Sequence, residues 1–421
     1  MDTNIKTCAR FVRRVFERSP EPIRRVILLV LILLLVGGCS GLSRNPVPIE
    51  RMEDAVVAGM PGVRGYWDDT VVDPLFQQDA IQSVYDEPDD LFPRRDDGSP
   101  VYSGLAVSGG GADGAFGAGI LVGWTDSGAR PKFKLVTGIS TGALIAPYAF
   151  VGAAYDAKLK AAYTTVATRD IVKIPSLPTL GSEALTDSSP LAQRIAKDVN
   201  EEMLAEIAAA HGRGRRLYIG TTDMDAQRFV VWNMGAIAAS GHPGALALFR
   251  KVMLASASIP GVFPPVYIDV EVDGQPYDEM HVDGGVITQV FFYESMLDIK
   301  KAAAVAGVAP TSASAGSVYV IRNGKVYPER QHTPRKLLAI TGRAVSTMIK
   351  SASINDLGRI YMLSKRDNMD FNYIGVPGDF QFEGEEAFDP KLMNALFELG
   401  FQTARKGDFW HKAPIEAAKN N

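Results

Sequence analysis

Three short stretches carry residue types that could do covalent chemistry. In Gly138-Ile139-Ser140-Thr141-Gly142 a serine stands between small residues in the spacing G-x-S-x-G. Glycines on both sides allow a turn tight enough to lift a hydroxyl above the end of a strand. In Ser108-Gly109-Gly110-Gly111-Ala112-Asp113-Gly114, consecutive glycines let the main chain approach a ligand closely, and a helix N-terminus behind them would stabilise an anion. In His281-Val282-Asp283-Gly284-Gly285 an imidazole and a carboxylate stand two residues apart, and either could take a proton from a serine. The glycine stretch also satisfies G-x-G-x-x-G through Gly109, Gly111 and Gly114. A dinucleotide fold needs an acid closing the next strand, however, and that strand ends in Thr137-Gly138-Ile139-Ser140. With no H-E-x-x-H and only two cysteines, no metal or other cofactor is expected, and activity should resist chelators. The acidic stretch 86–97 reads as a solvated linker rather than a calcium loop.

These residues need rigid elements to position them. Val101–Ser108 is an apolar strand pattern, followed after the glycines by a helical pattern over Ala112–Trp124. Phe133–Thr137 is a second strand, and a small-residue helix runs from Thr141 to about Ala154. Strand, turn and helix twice in about fifty residues is the pattern of a parallel α/β sheet. Further on, the spacing predicts a helix over Asn200–Ala210 and strands over Arg216–Thr221 and Arg228–Asn233. A helix over Leu246–Ala257 and a hairpin of Val266–Val270 with Gln275–Met280 across Asp273-Gly274 follow. Met234–Leu254 reads as core helix more readily than as a substrate-admitting lid. Val318–Arg322 is a buried strand and Arg335–Leu363 a long helical region; Asp389-Pro390 opens a last helix that ends near Gly407. Residues 39–100, rich in Pro, Asp and Arg, read as a tether and irregular extension with a short helix near Asp79–Val84. The expected divisions are therefore a leader at 1–38, the extension at 39–100, a catalytic core at 101–290 and a mostly helical remainder at 291–421.

Composition narrows the partners. The chain is 46% hydrophobic and 22% charged, near the globular average, and its 44 basic side chains against 48 acidic ones leave a net charge of −4. Seven of the basic residues fall in the first 38, so the remainder is more acidic still, without the basic footprint of a nucleic-acid binder. Val26–Val36 is an unbroken apolar run of eleven residues behind Arg24-Arg25. That is too short to span a bilayer but suits the core of a signal peptide. Val36-Gly37-Gly38-Cys39 resembles a bacterial lipobox, and the resemblance implies cleavage before Cys39 and lipidation of its sulfur. An uncleaved single-pass anchor is the plainer alternative. The body would then face the periplasm or the exterior, lipid-anchored in the cell envelope, with Ser40 favouring the outer membrane.

Taken in order, the three glycine-bearing stretches resemble the patatin-like phospholipase family. Ala255-Ser256-Ala257-Ser258-Ile259-Pro260-Gly261-Val262-Phe263-Pro264-Pro265 is similar to that family's A-S-x-S-x-P-x-x-F-P-P stretch, as are Gly220–Asp223 and Val230–Asn233 to its middle strands. The resemblance runs from about Val101 to Gly285. It implies a three-layer α/β/α fold with a mostly parallel central sheet, and hydrolysis of carboxylic ester bonds in lipids. It further implies Ser140 as nucleophile, Asp283 as its partner in a Ser–Asp dyad, Gly109, Gly110 and Gly111 as the oxyanion loop, and Gly138 and Gly142 as the elbow glycines. One residue departs from the pattern: Asp113 stands where many family members have Arg or Lys. A strong preference for anionic phospholipids is therefore not expected, and lysolipids and neutral acylglycerols remain equally suitable. Two other functions fit the residues less well: a Ser–His–Asp α/β-hydrolase with His281 as base, and a catalytically silent lipid-binding lipoprotein.

Overall fold

The computed structural model describes residues 20, 43–67, 73–96, 98–174, 183–292, 301, 304–305, 316–382 and 386–414. The apolar run of the leader and Cys39 lie outside the described residues. The chain divides into two units, Met1–Asn45 with Ser176–Glu183, and Pro46–Pro175 with Ala184–Asn421. Every element below belongs to the second. Among the described residues no helix is long and apolar enough to cross a membrane.

In chain order the strands are β1 (Arg64–Tyr66), β2 (Tyr102–Val107), β3 (Leu135–Ile139), β4 (Arg216–Asp223), β5 (Arg228–Asn233), β6 (Val266–Val272), β7 (Gln275–Asp283), β8 (Gly316–Arg322) and β9 (Met369–Gly375). The α-helices are α1 (Pro74–Tyr85), α2 (Gly114–Asp126), α3 (Thr141–Val151), α4 (Asp156–Thr164), α5 (Ser189–Asp198), α6 (Glu201–His211), α7 (Met234–Ala239), α8 (Ala245–Ser256), α9 (Leu337–Arg366) and α10 (Pro390–Arg405). One sheet takes the order β1-β5-β4-β3-β2-β8-β9, and β7 joins it on β4 with β6 beyond. The central pairs β4–β3–β2–β8–β9 are all parallel, whereas β1, β5, β6 and β7 pair antiparallel.

Side chains alternate across this sheet. Leu105 and Val107 of β2 point into a core shared with α2, α3, α8 and α10, and Ala106 into a second core with Phe76 of α1 and Leu357 and Ile360 of α9. Helices on both faces make the expected three-layer α/β/α arrangement, and near-continuous apolar strands are what a sheet covered twice requires.

Two expectations change. Residues 46–100 are more than a tether: β1 pairs with β5, and Val47, Val57, Met60 and Val63 are buried in the main core. Their apolar residues are too few and too irregularly spaced for a periodic signal. Asp73 caps α1 through its carboxylate, which accepts from Leu75 N and Phe76 N, with Pro74 at the first helical position. In the C-terminal part the expected strand is β8, which lies beside β2 at the middle of the sheet, and the strand not foreseen there is β9. Met234–Leu254 falls on α7 and α8, where Met234, Phe249, Val252 and Met253 are buried and the turn between the helices is largely exposed.

Candidate active site

Parallel strands β2 and β3 end side by side, and each hands over to a helix through glycines. At the end of β3, Ser140 adopts φ 55° and ψ −125°, a conformation that non-glycine residues avoid and that stores roughly 1–3 kcal/mol of strain. Neighbouring glycines make the turn possible. A Cβ on Gly138 would strike the backbone of Gly142 and Ala143, and one on Gly142 would strike Val107 O. Ser140 N–H is fixed by Ser256 Oγ at 3.0 Å, and that hydroxyl donates in turn to Gly220 O at 2.7 Å. The hydroxyl of Ser140 therefore sits on a backbone that cannot relax.

Asp283 arrives from a different direction. The β6–β7 hairpin turns through Asp273 and Gly274, both at positive φ, as a two-residue turn demands. Strand β7 runs three residues past the expected Met280 and pairs with β4, setting Asp283 opposite Thr221. Asp283 is 5% exposed and accepts from Gly285 N at 2.7 Å. Burial pushes its carboxyl up to about 6, against the lowering effect of the Gly285 amide and the neighbouring Ser140 hydroxyl.

At the end of β2 the glycine loop presents amides rather than a side chain. Gly109 was expected among the oxyanion donors, but its N–H donates to Gln289 O at 3.0 Å and is not available. The N–H groups of Gly110, Gly111 and Thr141 donate to no protein acceptor among the described residues. Thr141 opens α3, where the first amides have no intrahelical partner. Gly111, Ser140 and Thr141 share one cleft.

Arg322, at the end of β8, is the residue that sequence reasoning missed here. Its buried guanidinium donates through Nη1 to Gly109 O at 2.6 Å, Ser108 Oγ at 3.0 Å and Asn323 O at 3.0 Å. Asn323 adds Nδ2 to Ser108 O at 2.8 Å. In a trans peptide the C=O and the following N–H point opposite ways, so a cation holding Gly109 O aims Gly110 N–H away from itself. Asp113 faces this guanidinium, and burial pushes the Asp113 carboxyl up to about 6 even though Arg322 opposes the shift. The chain thus has an acid within the glycine loop and a cation supplied from another strand. The only sequence signal for it was an arginine closing a buried strand.

The cleft beside Ser140 has a cavity volume of about 80 Å³ and opens to solvent. Leu144, Val166, Leu191, Ile195, Met253 and Phe263 line it, with Tyr148, Arg194 and Asp198 as polar points. Its walls suit an acyl chain.

His281 is fully buried with both ring nitrogens engaged, Nδ1 with Thr221 Oγ1 at 3.0 Å and Nε2 with Glu279 Oε2 at 3.2 Å. Asp223, Glu279 and His281 come close enough to hold a cation between them. Their groups are already committed within the protein: Arg64 pairs with Glu279 at 2.6 Å, and Tyr66 Oη donates to Asp223 at 2.9 Å. This is a structural network rather than a metal centre.

The patatin-like phospholipase family model matches residues 105–294, a span holding Gly109–Gly111, Ser140 and Asp283. These residues are a patatin-like phospholipase domain. Among solved structures, VipD from Legionella pneumophila is similar at 12% identity over 75% of this chain and 69% of its own, with a TM-score of 0.37. No curated protein matches. The patatin-like domain is that of a lipid acyl hydrolase. Its family match ends at residue 294, so Arg322, β8 and α9 lie beyond it.

Proposed function

We propose that this chain hydrolyses carboxylic ester bonds of lipids (phospholipid, lysophospholipid or acylglycerol) with Ser140 as nucleophile and Asp283 as its proton acceptor. A lipidated Cys39 would hold it to a membrane of the cell envelope. The observation that carries the chemistry is the placement of a strained serine at the end of β3 and a buried carboxylate at the end of β7 on strands that both pair with β4, with the serine lining an apolar cleft.

A serine hydroxyl attacks well only if its proton leaves as the new bond forms. Asp283 Oδ takes that proton while Ser140 Oγ bonds to the ester carbon, and the carbonyl electrons move onto oxygen. Gly110, Gly111 and Thr141 amides stabilise the oxyanion, each such donor being worth about 2.7–4 kcal/mol. Collapse of the tetrahedral centre expels the alcohol, which receives the proton from Asp283. Water then gives a proton to Asp283 and attacks the acyl-enzyme, and the same carboxyl reprotonates Ser140 Oγ as the fatty acid departs. A carboxylate raised to about 6 is a better base than an ordinary one and still ionised at neutral pH.

A fluorophosphonate probe should label the wild-type chain and fail on Ser140→Ala. Labelling at another residue, or none on the wild type, would return the chain to the silent lipid-binding alternative. An ester panel of rising chain length, run beside intact phospholipids, then ranks the substrates. Labelled palmitate should enter the wild-type protein and not Cys39→Ala. The Ser–His–Asp alternative has little to stand on, because both His281 nitrogens serve Thr221 and Glu279.

A further inference from the structure

Helix α9 is built inside out over its first four turns. A surface helix normally turns charge to solvent and apolar residues to the core. Here Arg343 and Lys350 turn toward the body, Arg343 bonding Glu329 O, and Lys350 Nζ bonding Tyr327 O at 2.8 Å and Glu329 Oε2 at 2.6 Å. The other side carries Leu337 at 80% exposure, Ile340 at 53%, Val345 at 42% and Met348 at 62%. Leu337, Thr341, Ala344, Val345 and Met348 fall within an arc of about 100° with no charge among them. Burial begins only beyond this arm, at Ser353, Asp356, Leu357 and Ile360.

Charge indicates what covers this face. Residues 325–366 hold nine Lys/Arg against two acids in a chain whose net charge is −4. Exposed Arg330, His332, Arg335 and Lys336 lead directly into the helix. Apolar residues beside a cationic collar fit the boundary between acyl chains and anionic headgroups. A second copy of the chain would bring the same positive charge against itself. Beyond the arm the same helix reaches the site: Asp356 Oδ2 accepts Gln289 N at 2.6 Å, and Gln289 holds both Gly109 N and Gly285 O. Apolar Val286 and Ile287, 49% and 42% exposed, stand between Gln289 and Asp283.

We propose that the exposed face of α9 between Leu337 and Ile349 docks on an anionic lipid surface. The purpose of docking rests on the lipid-hydrolase reading above, but the docking itself needs no turnover. The test places an environment-sensitive fluorophore at Val345→Cys, and in a companion at Ser346→Cys on the polar side, in the full chain with Cys8→Ser and Cys39→Ser. Vesicles are phosphatidylcholine alone or an equimolar mixture with phosphatidylglycerol. The expected result is a blue shift and at least about a twofold rise in emission at 345 but not at 346, on the anionic vesicles and weakened by salt. Leu337→Glu with Met348→Glu should weaken vesicle affinity at least about tenfold while hydrolysis of a soluble short-chain ester is unchanged. No response at 345, or an equal response at both positions, overturns the proposal. A response without vesicles that grows with protein concentration overturns it in favour of self-association. Repeating the measurement in Ser140→Ala separates the two readings, since a failure of the catalytic assignment leaves the fluorescence response intact.

Discussion

The β2–α2 and β3–α3 junctions lie side by side, both rich in glycine, yet they are held in opposite ways. At the second, backbone collisions determine the turn: Gly138 and Gly142 press on neighbouring main chain, and one side chain, Ser140, is driven into a strained conformation. At the first, Gly111 has open space where a Cβ would go, a Cβ on Gly110 would strike Asn323 O, and the loop is held from outside by Arg322 at the end of β8 and by Asn323 just after it. In the proposed mechanism one junction presents the atom that reacts and the other the amides that must be aimed. A glycine motif alone does not define such a loop, because the residue that orients its peptides can come from elsewhere in the sheet.

The largest test removes the reacting atom: Ser140→Ala should lower ester turnover by at least about 10³-fold with the fold intact by circular dichroism. A second test removes the outside support. Arg322→Gln should reduce kcat by up to about 10²-fold with KM little changed, since an oxyanion amide loses its aim while the acyl cleft stays whole. Arg322→Lys should recover part of that loss; an unchanged kcat in Arg322→Gln would mean that the glycine loop holds itself, like the elbow. The third test is pH. Asp283 must be ionised to accept a proton, so activity should fall about tenfold per unit below pH of about 6, measured as kcat/KM.

The same raised carboxyl affects stability. A folded-state value above the unfolded one favours the fold at low pH, and that advantage is lost as pH rises through about 6. Asp283→Asn should therefore abolish turnover yet stabilise the protein by up to about 3 kcal/mol above pH 7, with no gain near pH 4, as read by denaturant unfolding. The smallest catalytic effect is expected from His281→Asn: kcat within about threefold of wild type, with a lower thermal midpoint because Thr221 and Glu279 lose a buried partner.

Much of the site was legible because its parts are local. Gly138–Gly142 encodes a turn within five residues, and the alternation of β3 and α3 around it marks a parallel strand and its helix. Asp283 was legible only through the family resemblance, since nothing nearby in sequence distinguishes it from a turn aspartate. Arg322, Gln289 and Asp356 were not legible. Each acts through a contact with a backbone group more than sixty residues distant, and such pairing leaves no periodic trace in a single sequence. The pairing of the Gly109 amide with Gln289 O was not legible for the same reason. In residues 46–100 the three-residue β1 is too short for alternation to show.

Helix α2 rises from the glycine loop and lies against α10 so closely that Cβ atoms at Gly119, Gly123 and Gly400 would strike the opposing main chain. Residues 390–405 thus form the wall behind the glycine loop, while β8 covers the flank of β2. Evolutionary kinship and physical autonomy therefore have different borders in this protein. A polypeptide cut after residue 294 would retain every residue named in the family's motif, but it would leave β2 as a bare hydrophobic margin, the hallmark of a species that sticks to its own kind.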